Sequence, residues 1–403
     1  MSEPFPSELE AALEVTDPVA LTARLVRIPS HPGIERQEEA VVRSLAAWLT
    51  EHGIEPRLDE VAPGRPNLLA TLDSGRPGRH LVLCGHTDTV PLNRDDPGAG
   101  FSGEVRDGRL LGRGSVDMKG AVAAMAAALV AFEASGALVA GRLTLAAVVD
   151  EEMGGSGIDH LVAGGFSADG AVVGEPSENR LLLGHKGLEW LEVRFEGASA
   201  HGGTPERGVN AIDAAARFLG LVQSELLPRF AERRHPLLGR PTINAGTIRG
   251  GDQPSTVAAR CAIAMDRRSV PGEDYASMTA ELGELLDRVA AEMPGLEWSI
   301  GRVVGGSSSE EKLAFVTPRD HPLAAAVRRA GRMVGGEPPA EGTFPAWTDG
   351  GVLAAHGTPV VVLGPGDLSL AHSPREAVPV AELVEAARLY AAAAVVFCGG
   401  EDG

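Results

Sequence analysis

The residues of this chain that can do chemistry are histidines and carboxylates set at the ends of apolar runs. His86 closes the run Leu81-Val82-Leu83-Cys84-Gly85, and Asp88 follows two residues later. A histidine at a strand's tip can bind a metal through one ring nitrogen while a nearby acid orients the other. The same rule recurs elsewhere. Asp150, Glu151 and Glu152 follow the apolar run Leu143 to Val149, and Glu175 follows Gly170 to Gly174. His372 comes a short loop after Val360 to Gly366, and Asp117 stands at the entry to an alanine-rich stretch. Each alone has an ordinary explanation. A strand-end histidine is often structural, an acidic triplet is usually a solvated turn, and Asp117 could cap a helix. An acidic triplet directly after an apolar strand is nevertheless costly to leave unpaired.

Charge narrows the chemistry. Two neutral histidines with three carboxylates carry three negative charges, so one divalent cation leaves the group anionic and two leave a single positive charge. That balance suits a hydroxide and a polarised carbonyl. Nitrogen and oxygen donors without thiolates fit Zn2+, with Co2+ or Mn2+ as alternatives. Two metals about 3.5–4 Å apart lower the pKa of a shared water and stabilise an oxyanion. One carboxylate must then stay free to carry a proton, and of the adjacent Glu151 and Glu152 one can do this while the other binds.

The elements that must position these residues follow from the patterning. Short β-rich runs (Asn67 to Leu72, Leu81 to Cys84, Leu143 to Val149, Ala171 to Val173) alternate with helical stretches, among them Glu38 to His52 and Met118 to Leu138. That alternation predicts an α/β domain with a mainly parallel sheet and helices on both faces. In such sheets ligands bind beyond the carboxyl ends of the strands. Past Gly187 the pattern changes to β-α-β-β-α-β: Leu188 to Phe195, a helix Val209 to Leu226, strands Thr242 to Arg249 and Thr256 to Arg267, a helix Tyr275 to Ala291, and a strand Leu296 to Val304. This is the order of a ferredoxin-like α+β unit. Residues 187–305 are therefore read as an insertion between 1–186 and 306–403, with Gly305 to Glu311 as the return linker. A helix over 321–335, a strand Pro359 to Leu363 and a helix Val380 to Phe397 complete the first domain.

Composition removes several classes. A formal charge of −19 argues against nucleic-acid binding and against an anionic membrane surface. Cys84, Cys261 and Cys398 have no CxxC spacing, so neither a disulfide framework nor a cysteine zinc site is indicated. The N-terminus lacks a basic region and an apolar core, and the apolar Gly120 to Val139 contains Glu133 and reads as a buried helix. A soluble cytoplasmic protein is expected.

The blocks Gly85-His86-Thr87-Asp88-Thr89-Val90-Pro91, Gly112 to Gly120, Asp150-Glu151-Glu152-Met153-Gly154-Gly155, Gly174-Glu175-Pro176-Ser177 and Ala371-His372 resemble the M20 metallopeptidases. The resemblance runs through essentially the whole chain in order. It implies that His86 and His372 each bind one metal, that Asp117 bridges the two, and that Glu152 and Glu175 complete the coordination shells. Glu151 would be the general acid/base and Asp88 the orienting acid of His86. It also implies that the insertion is a lid and dimerisation domain. There His201, in Ser-Ala-His-Gly-Gly, would reach the scissile carbonyl, and Asn244 and Arg268 would hold a substrate carboxylate. Three departures bear on the substrate: the segment Gly250 to Cys261 reads Gly-Gly-Asp-Gln-Pro-Ser-Thr-Val-Ala-Ala-Arg-Cys where the family often has Asn-Val-Val-Pro-Asp before the cysteine, no Arg follows Trp347-Thr348-Asp349-Gly350-Gly351, and Leu368 stands where desuccinylases tend to carry Asn. The expected activity is hydrolysis of an N-acyl amino acid, of the deacetylase or desuccinylase type. A di- or carboxypeptidase and a non-catalytic, metal-stabilised binding protein are the alternatives.

Overall fold

The computed structural model describes residues 5–303 and 311–399. Of the expected return linker, all but Glu311 lies outside them. Two compact units are present, one of Met1–Gly184, Val316–Phe344 and Thr348–Gly403, the other of His185–Phe315 and Pro345–Trp347.

In the first unit the described residues form a nine-stranded sheet. Its order is Arg57–Ala62, Arg65–Asp73, Arg142–Val148, His80–His86, Gly170–Val173, Val360–Val362, Leu181–His185 and Phe315–Val316, with Glu341–Phe344 also paired to Leu181–His185. The four strands from Arg142–Val148 to Val360–Val362 are parallel, whereas Arg65–Asp73 and Leu181–His185 flank them antiparallel. The α/β expectation therefore holds, with parallel pairing confined to the centre. The register aligns the carboxyl ends, for His86 lies opposite Val148, Cys84 opposite Val173, and Val173 opposite Val362. Every segment that continues past these residues leaves from one rim.

Helices cover both faces. Leu81 and Leu83 join a core with Lys119–Ser135, Pro322–Gly335 and Val380–Gly399. The Lys119–Ser135 helix is buried around its whole circumference through Phe132, which alanine permits because it lets neighbours approach closely. It stops at Gly136 in the left-handed conformation. Gly85 lets this helix approach closely, since a Cβ there would lie 2.5 Å from the Met118 methyl and displace it. The opposite face carries Ser156–Ala163 and Gly350–Ala355, and a Cβ on Gly350 would meet Val360 at 2.8 Å.

The second unit is a four-stranded antiparallel sheet in the order Thr242–Gly250, Arg260–Arg268, Glu189–Glu196, Glu297–Arg302. With the helices Ala211–Leu221 and Tyr275–Glu292 it has the expected β-α-β-β-α-β order. The second central strand starts at Arg260 rather than Thr256, because Thr256 makes only an isolated bridge to His201. Its residues alternate, so Cys261, Ile263 and Met265 join the apolar core while Asp266 and Arg268 lie on the other face. Arg267, on the core side, is buried against the Phe230 ring and pairs with Glu273.

Candidate metal centre

On the rim of the parallel strands, Asp117 lies between two imidazoles. His86 Nε2 is 3.0 Å from Asp117 Oδ1, and His372 Nε2 is 3.2 Å from Oδ2. His86 ends a fully buried strand, so its ring position is fixed by the sheet. Asp117 leaves the Gly112 to Met118 loop without capping the helix that follows, whose N-cap position is Met118. Its carboxylate is thus free for the site. His372 adopts φ +59°, a left-handed conformation that turns its side chain toward Asp117 and Glu152. Both Glu152 carboxylate oxygens lie 3.0–3.1 Å from His372 Nε2. On the other side Glu175 Oε1 is 3.8 Å from His86 Nε2. One ligand atom from each of His86, Glu151 and Glu175 falls within 4.8 Å of the others, as does one from each of His86, Asp117 and Glu152.

The electrostatics of this cluster are those of a site built for cations. Burial, together with repulsion from Glu175, pushes Glu151 well above the usual carboxylate range. Burial and Asp117 do the same to Glu175 and, less strongly, to Glu152. The histidines absorb the opposite effect. Asp117 and Glu152 raise His372 to about 10, and although burial opposes charge on His86, Asp117 and Asp88 outweigh it and raise it well above its ordinary value. Burial likewise opposes charge on Asp117, yet the two histidines hold it below the normal range. Carboxylates crowded in this way ionise together only when cations are supplied. The donor set, imidazole nitrogen and carboxylate oxygen with no thiolate, fits two hard-to-borderline divalent ions.

Asp88 is buried and makes more contacts than the sequence suggested. His86 Nδ1 lies 3.1 Å from the Asp88 carbonyl and 3.4 Å from its Oδ1. The carboxylate also accepts the backbone N–H groups of Glu151, at 3.2 Å, and Glu152, at 3.0 Å. One side chain therefore ties the strand-end histidine to the acidic turn. That turn is further held by Asp150, at φ +71°, whose carboxylate accepts from Arg65 at 2.9 Å and from the Ser156 hydroxyl at 2.7 Å. Arg65 in turn makes a two-point ion pair with the fully buried Glu38. Sequence reasoning did not single out Glu38 or Arg65. Their only signals are an acid beside Glu39 at a helix start and a lone Arg at a strand start, which carry no spacing rule.

The remaining three site candidates lie in the second unit. Arg268 is engaged by Asp266 through Nε–Oδ1 at 2.8 Å and Nη2–Oδ2 at 3.1 Å, and the Trp190 indole N–H donates to the same carboxylate at 3.1 Å. Asn244 sits opposite Asp266 on the edge strand and is exposed, so Asn244 and Arg268 come together around Asp266. His201 is exposed on the loop after Glu189–Glu196, where its Nδ1 accepts from the Gly203 N–H at 3.0 Å.

The chain is similar to known proteins over nearly its whole length. Residues 82–395 match the profile of "Peptidase family M20/M25/M40". The acetylornithine deacetylase of Proteus mirabilis is 32% identical over 377 residues, which cover 90% of this chain and 92% of the relative. Among solved structures, aminopeptidase PepT from Bacillus cereus superposes with a TM-score of 0.77 at 22% identity, covering 94% of this chain and 98% of that one. The YXEP protein of Bacillus subtilis, described as a dinuclear metal binding peptidase from the M20 family, superposes with a TM-score of 0.71 at 13% identity, covering 97% and 99%.

Proposed function

This chain belongs to peptidase family M20/M25/M40, and on that premise we propose that it hydrolyses the amide bond of an N-acyl amino acid. The observation that carries the reading is the Asp117 carboxylate with an imidazole 3.0 Å from one oxygen and another 3.2 Å from the other. His86 and His372 would hold one divalent ion each, Asp117 would be shared, and Glu152 and Glu175 would complete the two sites. Zn2+ is the first choice of ion, with Co2+ or Mn2+ able to replace it. When bound, two such ions supply Lewis acidity and a water of lowered pKa.

The protein's own groups do the rest. Glu151, whose carboxylate burial makes a stronger proton acceptor than a free one, is suited to take a proton from the attacking water and return it to the departing amine. Asp88 fixes the peptide N–H of Glu151 and so its place beside the reacting atoms. In the inserted unit, residues 187–305, His201 would donate to the developing oxyanion. Arg268 would read the substrate carboxylate in the two-point geometry it now uses with Asp266, and Asn244 would add an amide donor. The unit would act as lid and as the contact of a homodimer. Among the described residues no helix is long and apolar enough to cross a membrane.

Likeness to an acetylornithine deacetylase over 92% of its length favours a small N-acyl amino acid as substrate. A di- or carboxypeptidase is the second reading, in keeping with membership of a peptidase family. A panel of N-acetyl, N-succinyl and dipeptide substrates, assayed with added Zn2+ or Co2+, separates the two. Turnover of N-acyl amino acids with dipeptides left intact is expected, and the reverse order would favour the peptidase.

A further inference from the structure

Glu376, four residues past His372, is buried to within 2% of complete exclusion from solvent, and its carboxylate is fully occupied by one loop. Oε1 accepts three backbone N–H groups, from Gly114 at 2.8 Å, Val116 at 3.1 Å and Asp117 at 3.2 Å. Oε2 pairs with Nη1 of Arg113, itself buried. The backbone of Glu376 joins in, since its carbonyl accepts the Gly112 N–H at 3.1 Å. Convergent peptide N–H groups form a concavity that binds anions. Here the anion is a side chain of the same protein.

The third of those donors belongs to Asp117 itself. A hydrogen bond to its N–H fixes the peptide plane from which the Asp117 side chain departs. A second path closes the circuit. Arg113 Nη2 donates to Asn93 Oδ1 at 3.0 Å, and Asn93 Nδ2 donates to the carbonyl of His372 at 3.3 Å. The loops that carry Asp117 and His372 are 259 residues apart at the Asp117–Glu376 contact, yet one carboxylate and one guanidinium tie them together. The chain leaves no slack around this tie, because a Cβ on Gly98 would fall 1.9 Å from the carbonyl of Pro374, between His372 and Glu376.

We propose that Glu376 is a positioning residue for the metal centre: by gathering the Gly114, Val116 and Asp117 N–H groups it holds the Asp117 carboxylate between His86 and His372. The proposal rests on the reading of that cluster as a two-metal site. Glu376 touches no reacting atom. Its effect passes through Asp117, as groups that orient ligands commonly do.

Two variants test it. Glu376→Gln keeps the shape but loses the charge and turns one acceptor into a donor facing Arg113. Glu376→Asp keeps the charge and shortens the reach by one methylene. The first measurement uses the metal-free protein: amide exchange over residues 112–118, referenced to the strand Arg142–Val148. Faster exchange at Gly114, Val116 and Asp117 is expected in the Gln variant, with the strand unchanged. The second is Zn2+ retention against a competing chelator, where affinity should fall about 10–100-fold in the Gln variant and recover in part in the Asp variant. Loosened amides with wild-type Zn2+ affinity would overturn the proposal, for Glu376 would then be only a structural tie. If the Gln variant does not fold, the Asp variant is read against wild type in both measurements, and unchanged values in both reject the role. Wild-type protein that retains no Zn2+ would instead defeat the reading of the centre, while the exchange data would still report on the loop.

Discussion

Removal of the Glu151 carboxylate should separate proton transfer from metal binding. Its neighbour Glu152 faces His372, whereas Glu151 lies with His86 and Glu175, and burial raises its affinity for a proton. Glu151→Ala should retain both metal equivalents by elemental analysis and lose roughly 10²–10⁴-fold in kcat. Undiminished turnover would reject its role as the proton carrier. Four of the five candidate ligands were legible in the sequence because each stands beyond an apolar run, and the register of the parallel strands turns that position into a shared rim; Asp117 was legible from its place at the entry to the alanine-rich helix. What holds them was not legible. Asp88 takes N–H groups from residues 63 and 64 positions away, and no local spacing records such a pairing. The pairing of Asp266 with Arg268 could have been read, since residues two apart on a strand share a face.

The elements make two predictions, both by weighing opposed effects. Glycine inside a helix normally costs about 1 kcal/mol relative to alanine. Gly120, in the first turn of Lys119–Ser135, should break that rule, because a Cβ there would meet the Ser115 carbonyl at 2.4 Å. Gly120→Ala is expected to lower the denaturation midpoint of the metal-free protein, and a raised midpoint would show the loop can yield. His80 opens the strand that ends in His86, with its Nε2 2.8 Å from the Thr144 hydroxyl. Burial, aided by Arg142, pushes its pKa below the ordinary 6.5. As pH falls through that value the unfolded chain takes up a proton that the folded chain resists, so stability declines by up to about 1.4 kcal/mol per pH unit. Denaturant midpoints at pH 8 and 5.5 should therefore differ more in the wild type than in His80→Gln, and equal differences would remove His80 as the cause. The long periodic elements were legible, the alanine-rich helix and the β-α-β-β-α-β insertion above all. Three-residue strands such as Glu104–Arg106 and Arg109–Leu111 were not, since they are too short to show a period and gain their pairing from each other and from Ala377–Pro379.

The molecule as a whole is one chain that leaves its first unit and returns to it. The inserted unit has its own sheet and its own apolar core around Phe195, Phe218 and Ile263. A polypeptide of residues 187–305 should therefore unfold in a single cooperative transition by circular dichroism, and a chain without such a transition would refute its independence. The first unit is in the opposite position. His372 meets Glu152 across 220 residues of sequence, and the strand that leads to it, Val360–Val362, pairs with Gly170–Val173 near the middle of the chain. This has a consequence for biosynthesis. A ribosome has released four of the five proposed ligand positions long before His372 exists, so the nascent chain would carry an incomplete centre throughout most of its synthesis. On the proposed two-ion reading, loading of the second ion would wait for the last stretch of the chain, and a polypeptide ending before His372 would lack one of the proposed ligands however much of its sheet it formed.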